Sequence, residues 1–329
     1  MTAIRTENLT KRYGDVLAVA GLDLVVEEGE VFGFLGPNGA GKSTTIELLL
    51  DYARPTDGEA RVLGLDPRSD SRELLRRTGV LPEGVGLYER LTGREHLGIA
   101  IEAMEADDDP DAVLERVGLE PEDAGRRAGE YSRGMAKRLA LAVALVGDPD
   151  LLVLDEPASG LDPLGVRRMR ELVHEEAARG TTVFFSSHVL DQVEAICDRV
   201  GILSGGRLVA VDTIDGLREA EGTGATVTLR LDGPPSRLAS ELRGMEGVAD
   251  AEITGHALCV HCTDPRAKAR VIARAERSAA TVRDLTVEEP SLESLFADRT
   301  GDTTPPSIGR RSGGAGGTDH TAADVGAES

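Results

Sequence analysis

Tryptophan is absent from this 329-residue chain, and aromatic residues of all kinds make up 3% of it. Lysine is almost missing too. It stands at positions 11, 42, 137 and 268, and the other 33 of the 37 basic residues are arginine. Three cysteines, Cys197, Cys259 and Cys262, are too few for a disulfide framework. Cys259, His261 and Cys262 stand close together, but strand alternation puts the first two on one face and Cys262 on the other. No second half of a zinc site follows, so packing is the preferred reading. No run of eighteen apolar residues occurs, which excludes a membrane-spanning helix. Residues 1–7 lack an apolar signal core, so a cytoplasmic chain is expected. A basic excess is also lacking: 58 acidic residues leave a net charge of −21. A phosphate backbone would be repelled, so no nucleic-acid partner is expected. Such a surface suits a high-salt cytoplasm, where self-repulsion is screened. A lysine kept in that setting is there for a function.

One such lysine lies in the stretch around which the chain is organised. Residues 31–35 form a short apolar run that reads as a buried strand, and Thr45-Ile46-Glu47-Leu48-Leu49-Leu50 reads as a helix start. Between them runs Gly36-Pro37-Asn38-Gly39-Ala40-Gly41-Lys42-Ser43-Thr44, the phosphate-binding loop in its strand–loop–helix context. Its glycines let backbone N–H groups approach phosphate oxygens, and the helix N-terminus adds unsatisfied donors. Lys42 would reach the β- and γ-phosphates, and the Ser43 hydroxyl would ligate Mg²⁺.

Upstream, residues 3–9, 16–19 and 22–26 are expected strands, with turns at Gly14-Asp15 and Glu28-Gly29. Tyr13 sits at the first turn; on the residues alone, stacking on an adenine and packing on a sheet edge stay equally open. Downstream, Pro55-Thr56-Asp57-Gly58 reads as a turn, 61–64 as a short strand, 71–77 as a helix and 78–82 as a strand leaving into a Gly-rich loop. Helices are expected over 91–106, opened by a Thr92/Glu95 capping box, and over 111–117. Tyr131-Ser132-Arg133-Gly134-Met135 feeds an Ala/Leu-rich helix. Leu151-Leu152-Val153-Leu154-Asp155-Glu156 is an apolar strand, as in a parallel sheet, ending in two carboxylates where open α/β sheets place ligands. Asp162 and Pro163 open a helix over 164–179. Residues 181–188 repeat the design, a buried strand with His188 at its end. A helix over 189–197 and strands over 200–203 and 208–211 follow. From residue 226 the order strand (226–231), helix (236–242), strand (249–253), strand (257–262), helix (265–278), strand (281–287) suggests a small ferredoxin-like α+β domain. Residues 290–296 read as an amphipathic turn or helix, and the tail from 301 as disordered.

As a set these motifs resemble the ATP-binding subunit of an ABC transporter over roughly residues 3–215. Residues 36–44 look like its Walker A motif and 151–157 like its Walker B. Residues 131–135 stand where the family has Leu-Ser-Gly-Gly-Gln, 159–162 resemble the D-loop and His188 the switch histidine. The resemblance implies an α/β P-loop NTPase of ABC ATPase type: a mixed sheet core, an antiparallel β subdomain and a helical subdomain. With the change of pattern near residue 221 and of composition after 301, the expected division is an ABC ATP-binding domain over 1–220, an accessory α+β domain over 221–300 and a disordered tail over 301–329. The resemblance also implies roles. Asp155 holds Mg²⁺ through water, Glu156 positions or deprotonates the attacking water, His188 contacts the γ-phosphate and Tyr13 stacks on adenine. Ser132 and Gly134 face the γ-phosphate on a second subunit of a head-to-tail homodimer. Arg133 and Met135 depart from the family's glycine and glutamine, and Glu83 replaces the Q-loop glutamine. A carboxylate there cannot donate a hydrogen bond but can still ligate Mg²⁺. Residues 81–93, the Tyr-Ser-Arg-Gly-Met form and the ending Glu-Pro-Ser-Leu-Glu-Ser-Leu-Phe look like the export branch, and the charge suggests a halophilic archaeon.

The expected function is ATP binding and hydrolysis that powers a separate integral-membrane permease, with the subunit peripheral on the inner face of the membrane. The alternative is a soluble ABC ATPase acting on ribosomes or nucleic acid. That class fuses two ATPase units or inserts a coiled coil and carries basic patches, none of which is present. A non-hydrolysing regulatory module is disfavoured by the presence of Glu156 and His188.

Overall fold

The computed structural model describes residues 1–84, 86–220, 225–232, 236–255, 257–264, 266–278 and 281–288. The expected helix over 290–296, the tail and the domain link at 221–224 lie outside these residues. The chain opens with β1 (Thr2–Tyr13) and β2 (Val16–Glu27), then β3 (Val31–Leu35), α1 (Lys42–Leu49), β4 (Asp57–Val62), α2 (Ser71–Arg76) and β5 (Thr78–Leu81). A helical block follows: α3 (Gly93–Met104), α4 (Pro110–Arg116), α5 (Pro121–Ala124) and α6 (Arg133–Ala144). The chain then alternates through β6 (Leu151–Asp155), α7 (Pro163–Ala178), β7 (Thr182–Ser187), α8 (Leu190–Glu194), β8 (Arg199–Ser204), β9 (Arg207–Thr213) and α9 (Ile214–Ala220). The last described part is β10 (Thr226–Asp232), α10 (Ser236–Arg243), β11 (Val248–Thr254), β12 (Ala257–Cys262), α11 (Ala267–Glu276) and β13 (Thr281–Glu288).

The central sheet has the order β5-β6-β7-β3-β8-β9, parallel except for β9. Its middle strands are buried at every position because both faces are covered, and the polar Asp155, Ser186 and Ser187 stand at their C-terminal ends. Alternation along each strand divides them between two cores. Val31, Leu35, Leu152, Leu154, Val183 and Phe185 join the helices on one side. Phe32, Phe34, Leu151, Val153 and Phe184 join α1 and the sheet β2-β1-β4 on the other. The scarce aromatics are concentrated there: Phe32 stacks on Phe184 at 5.9 Å and Phe34 tilts against it at 5.2 Å, each pair adding about 1 kcal/mol beyond area burial. The C-terminal strands form a separate antiparallel sheet, β11-β12-β10-β13, with α10 and α11 packed on its apolar face. This is the expected βαββαβ arrangement. Cys262 is buried in that core while His261 is exposed on the opposite face, and no metal-holding group of three occurs among the described residues.

Helix starts follow the local chemistry. Thr92 accepts from Glu95 N and Glu95 accepts from Thr92 N, a complete capping box. Asp109 caps α4, and Asp162 accepts from Gly165 N at 2.7 Å with Pro163 in the first helical position. Several limits differ from expectation. Pairing with β1 extends β4 back to Asp57, into the expected turn. The helix expected over 189–197 ends at Glu194, because Asp198 leaves it to clip onto β3: its N donates to Val31 O and its carboxylate accepts from Val31 N, both at 2.8 Å. The short helices α5 and α9 were not expected.

Candidate functional site

The site lies at the C-terminal ends of β3, β6 and β7, which parallel pairing sets side by side. After β3 the loop turns through Gly39 at φ 79° and Gly41 at φ 107°. A Cβ on Gly41 would lie 2.4 Å from Ala18 O, and one on Gly36 would lie 2.7 Å from Leu203 O, so neither position accepts a side chain. Asn38, Gly39 and Ser43 are exposed, which leaves the outer face of the loop and the start of α1 open to solvent. Pro37 and Thr44 are half-buried, and Ala40 is buried with its carbonyl accepting from Gly206 N.

Lys42 is 6% exposed. Its ammonium donates to Gly36 O at 2.7 Å and Pro37 O at 3.3 Å, and lies 3.3 Å from Glu156 Oε1. That ion pair does not have hydrogen-bond geometry, so Glu156 Oε1 is a buried acceptor without a hydrogen-bond partner. His188 Nδ1 is 2.9 Å from Glu156 Oε2. The residues expected to catalyse, Lys42, Glu156 and His188, therefore meet in one cluster although they come from three separate stretches. Asp155 is buried beside them and accepts from Ser186 Oγ at 2.5 Å, while Ser186 Oγ also accepts from Glu156 N at 3.1 Å. Ser187 O accepts from Gly36 N at 3.2 Å, tying the end of β7 to the loop.

Glu83 is exposed, and its charge reaches Lys137. Lys137 donates to Glu156 O at 2.8 Å. Burial pulls the Lys137 pKa down, against the opposing attraction of Glu156, Glu83 and Asp155. Tyr13 is 45% exposed, with the Lys11 ammonium 4.6 Å from its ring centroid and its hydroxyl donating to Glu47 of α1 at 3.4 Å. Burial and that carboxylate raise the Tyr13 pKa. One ring face is thus taken by lysine, and the contact with α1 sets the tyrosine beside the phosphate loop.

Ser132 and Gly134 stand apart from this cluster, with only local hydrogen bonds. The Ser132 hydroxyl accepts from Met135 N and caps α6, while Gly134 O accepts from Arg138. Tyr131 anchors the loop by donating to Asp123 O at 2.7 Å. The Arg133 side chain covers Gly160, where a Cβ would meet its Cδ at 2.7 Å. Motif reading missed Ser186 and Lys137. The second had a signal, being one of only four lysines.

Residues 19–159 match the family model for the ABC transporter. The chain is 43% identical over 221 residues to the bacitracin transport ATP-binding protein of Bacillus licheniformis, covering 66% of this chain and 72% of that one. The chain belongs to the ATP-binding subunits of ABC transporters. A second relative in this family, the daunorubicin/doxorubicin resistance ATP-binding protein of Streptomyces peucetius, is 36% identical over 309 residues, which is 91% of this chain and 92% of its own length. Among solved structures, an ATP-binding subunit of an ABC transporter matches with a TM-score of 0.62 at 30% identity, covering 67% of this chain and 94% of that one. As an ABC ATPase the chain is an ATP-hydrolysing enzyme. No helix among the described residues is long and apolar enough to cross a membrane.

The residues present fit a nucleotide triphosphate and its cation. The glycine loop leaves backbone N–H groups open, Lys42 supplies a counter-charge, and Glu156 Oε1 is a buried acceptor awaiting a donor such as water. Ser43, Asp155 and Glu83 offer hydroxyl and carboxylate oxygens, the hard donors that Mg²⁺ takes.

Proposed function

We propose that this subunit hydrolyses ATP to drive export through a separate membrane permease. The supporting observation is the Lys42–Glu156–His188 cluster at the mouth of the phosphate loop. Residues 36–44 cradle the phosphates, and Tyr13 offers its free face to adenine. Ser43 and Asp155, with Glu83, hold Mg²⁺, which when bound neutralises charge on the phosphate oxygens. Glu156 accepts the proton of the attacking water. His188 is oriented by Glu156 Oε2 toward the γ-phosphate. In this reading Lys42 exchanges its carbonyl partners for phosphate.

In this reading the outer side of the γ-phosphate is covered by a second copy. The capped start of α6, with Ser132 and Gly134, suits that task from a second copy, so the working unit is a head-to-tail homodimer with two ATP molecules between the copies. We divide the chain into an ATPase domain over 1–220, an accessory domain over 221–300 and a tail.

The permease contact falls on an apolar groove of about 300 Å³ between α3, α6 and the segment after β5. Pro82, Leu87, Tyr88, Ile99 and Ala103 line it, with Tyr88 70% and Ile99 51% exposed. Ile99→Glu places a charge there. Co-purification with the coexpressed permease, and ATP binding by the subunit alone, test this reading. The first is lost and the second unchanged. Undiminished co-purification would move the contact elsewhere. Relatives named for bacitracin transport and for drug resistance favour export.

The net charge of −21 with four lysines supports a halophilic source and argues against a nucleic-acid partner. The chain should unfold in dilute buffer and fold in roughly molar salt, where the Debye length shrinks to about 3 Å. A native far-UV spectrum and full ATPase activity in dilute buffer would contradict this.

A further inference from the structure

Two of the four lysines meet Glu156, Lys42 at its carboxylate and Lys137 at its carbonyl, and a third, Lys11, lies over the Tyr13 ring. Arginine serves almost everywhere else. Lys42 has its role in phosphate binding and Lys11 covers the tyrosine. Lys137 has none assigned.

Lys137 lies in the second turn of α6 and is 6% exposed. Its ammonium donates to the carbonyl of Glu156 at 2.8 Å. Glu156 has φ 47°, a left-handed conformation that costs a non-glycine residue about 1 kcal/mol or more. The conformation persists because its peptide groups are held from both sides. Ser186 Oγ accepts from Glu156 N, and Lys137 donates to Glu156 O. The carboxylate leaving this turn lies between Lys42 and His188. We propose that Lys137 is a positioning residue for hydrolysis, its ammonium fixing the Glu156 carbonyl so that the strained turn delivers the carboxylate to the attacking water.

The choice of lysine follows from the space. One carbonyl needs one donor, whereas a guanidinium would bring five N–H groups into a buried site. The ammonium also balances the neighbouring charges of Glu156, Glu83 and Asp155.

This inference rests on Glu156 being the base, and the test separates the two. ATP hydrolysis and nucleotide affinity are measured on the full chain for Lys137→Met, Glu156→Gln and the double variant. Lys137→Leu, which also removes the donor, substitutes if the Met variant does not fold. Lys137→Met lowers kcat about tenfold or more, as expected when a catalytic group is misplaced by a fraction of its reach. Nucleotide Kd stays within about twofold, because the loop is untouched. On the Glu156→Gln background the same change costs nothing further, because the group it positions is already lost. Unchanged kcat, a parallel loss of nucleotide affinity, or a full additional loss in the double variant would each overturn the role of Lys137. If Glu156→Gln itself hydrolyses normally, it is the assignment of Glu156 that fails.

Discussion

Glu156→Gln lowers ATP turnover of the full chain by about two to four orders of magnitude while nucleotide binding survives. Gln is nearly isosteric and keeps an oxygen for His188, but it cannot take a proton from water. Asp155 and its bond from Ser186 are unaffected, so the proposed cation ligand stays in place. The change also removes the ion pair to Lys42. At 3.3 Å that pair is worth about 5 kcal/mol of gross attraction at an effective dielectric of 20. Desolvation of both charges offsets most of this, so fold stability changes far less than turnover. Single-turnover hydrolysis beside a nucleotide titration reads the effect. Turnover within about tenfold of the parent would remove Glu156 from the role of base.

Lys42→Ala weakens ATP binding by roughly ten- to a hundredfold, the worth of a charge-assisted hydrogen bond. The substitution also strips Glu156 of its counter-charge and leaves Gly36 O without its donor. A fall in thermal midpoint is therefore expected alongside the binding loss. Combining Lys42→Ala with Glu156→Gln separates the two effects: it restores much of the midpoint, because no unpaired carboxylate remains, and leaves the binding loss intact. Undiminished ATP affinity in the single variant would refute the assignment of the phosphate loop.

What could be seen in advance follows from how local the determinant is. The buried strands β3, β6 and β7 announce themselves as apolar runs, and the caps at Thr92, Asp109 and Asp162 lie within three residues of the groups they satisfy. The long strands β1 and β2 read as fragments because register shifts between Thr6 and Arg12 break their alternation. Helix α5 is a single turn without periodicity. Helix α9 rests on Thr213, whose hydroxyl accepts from Gly216 N, a weaker signal than a capping box. The site followed the same rule. Asp155, Glu156 and His188 stand out at the ends of buried strands, but the meeting of Glu156 and His188 with Lys42 depends on the strand order β6-β7-β3, which no spacing encodes. Ser186 and Lys137 act on the backbone of a distant residue and belong to no motif. The scarcity of lysine was the only trace Lys137 left in the sequence.

The proposed sandwich is tested most directly by light scattering on full-length Glu156→Gln in high salt, with ATP and with ADP. Binding favours a closed dimer only through contacts that the closed state alone makes, and the γ-phosphate is the group that Ser132 and Gly134 of the second copy would meet. Blocking hydrolysis preserves those contacts. The account predicts twice the 34.7 kDa of one chain with ATP and the single mass with ADP. Adding Ser132→Arg should abolish the dimer while monomer affinity for ATP stays within about twofold. A single mass under both nucleotides, with ATP demonstrably bound, would contradict the account.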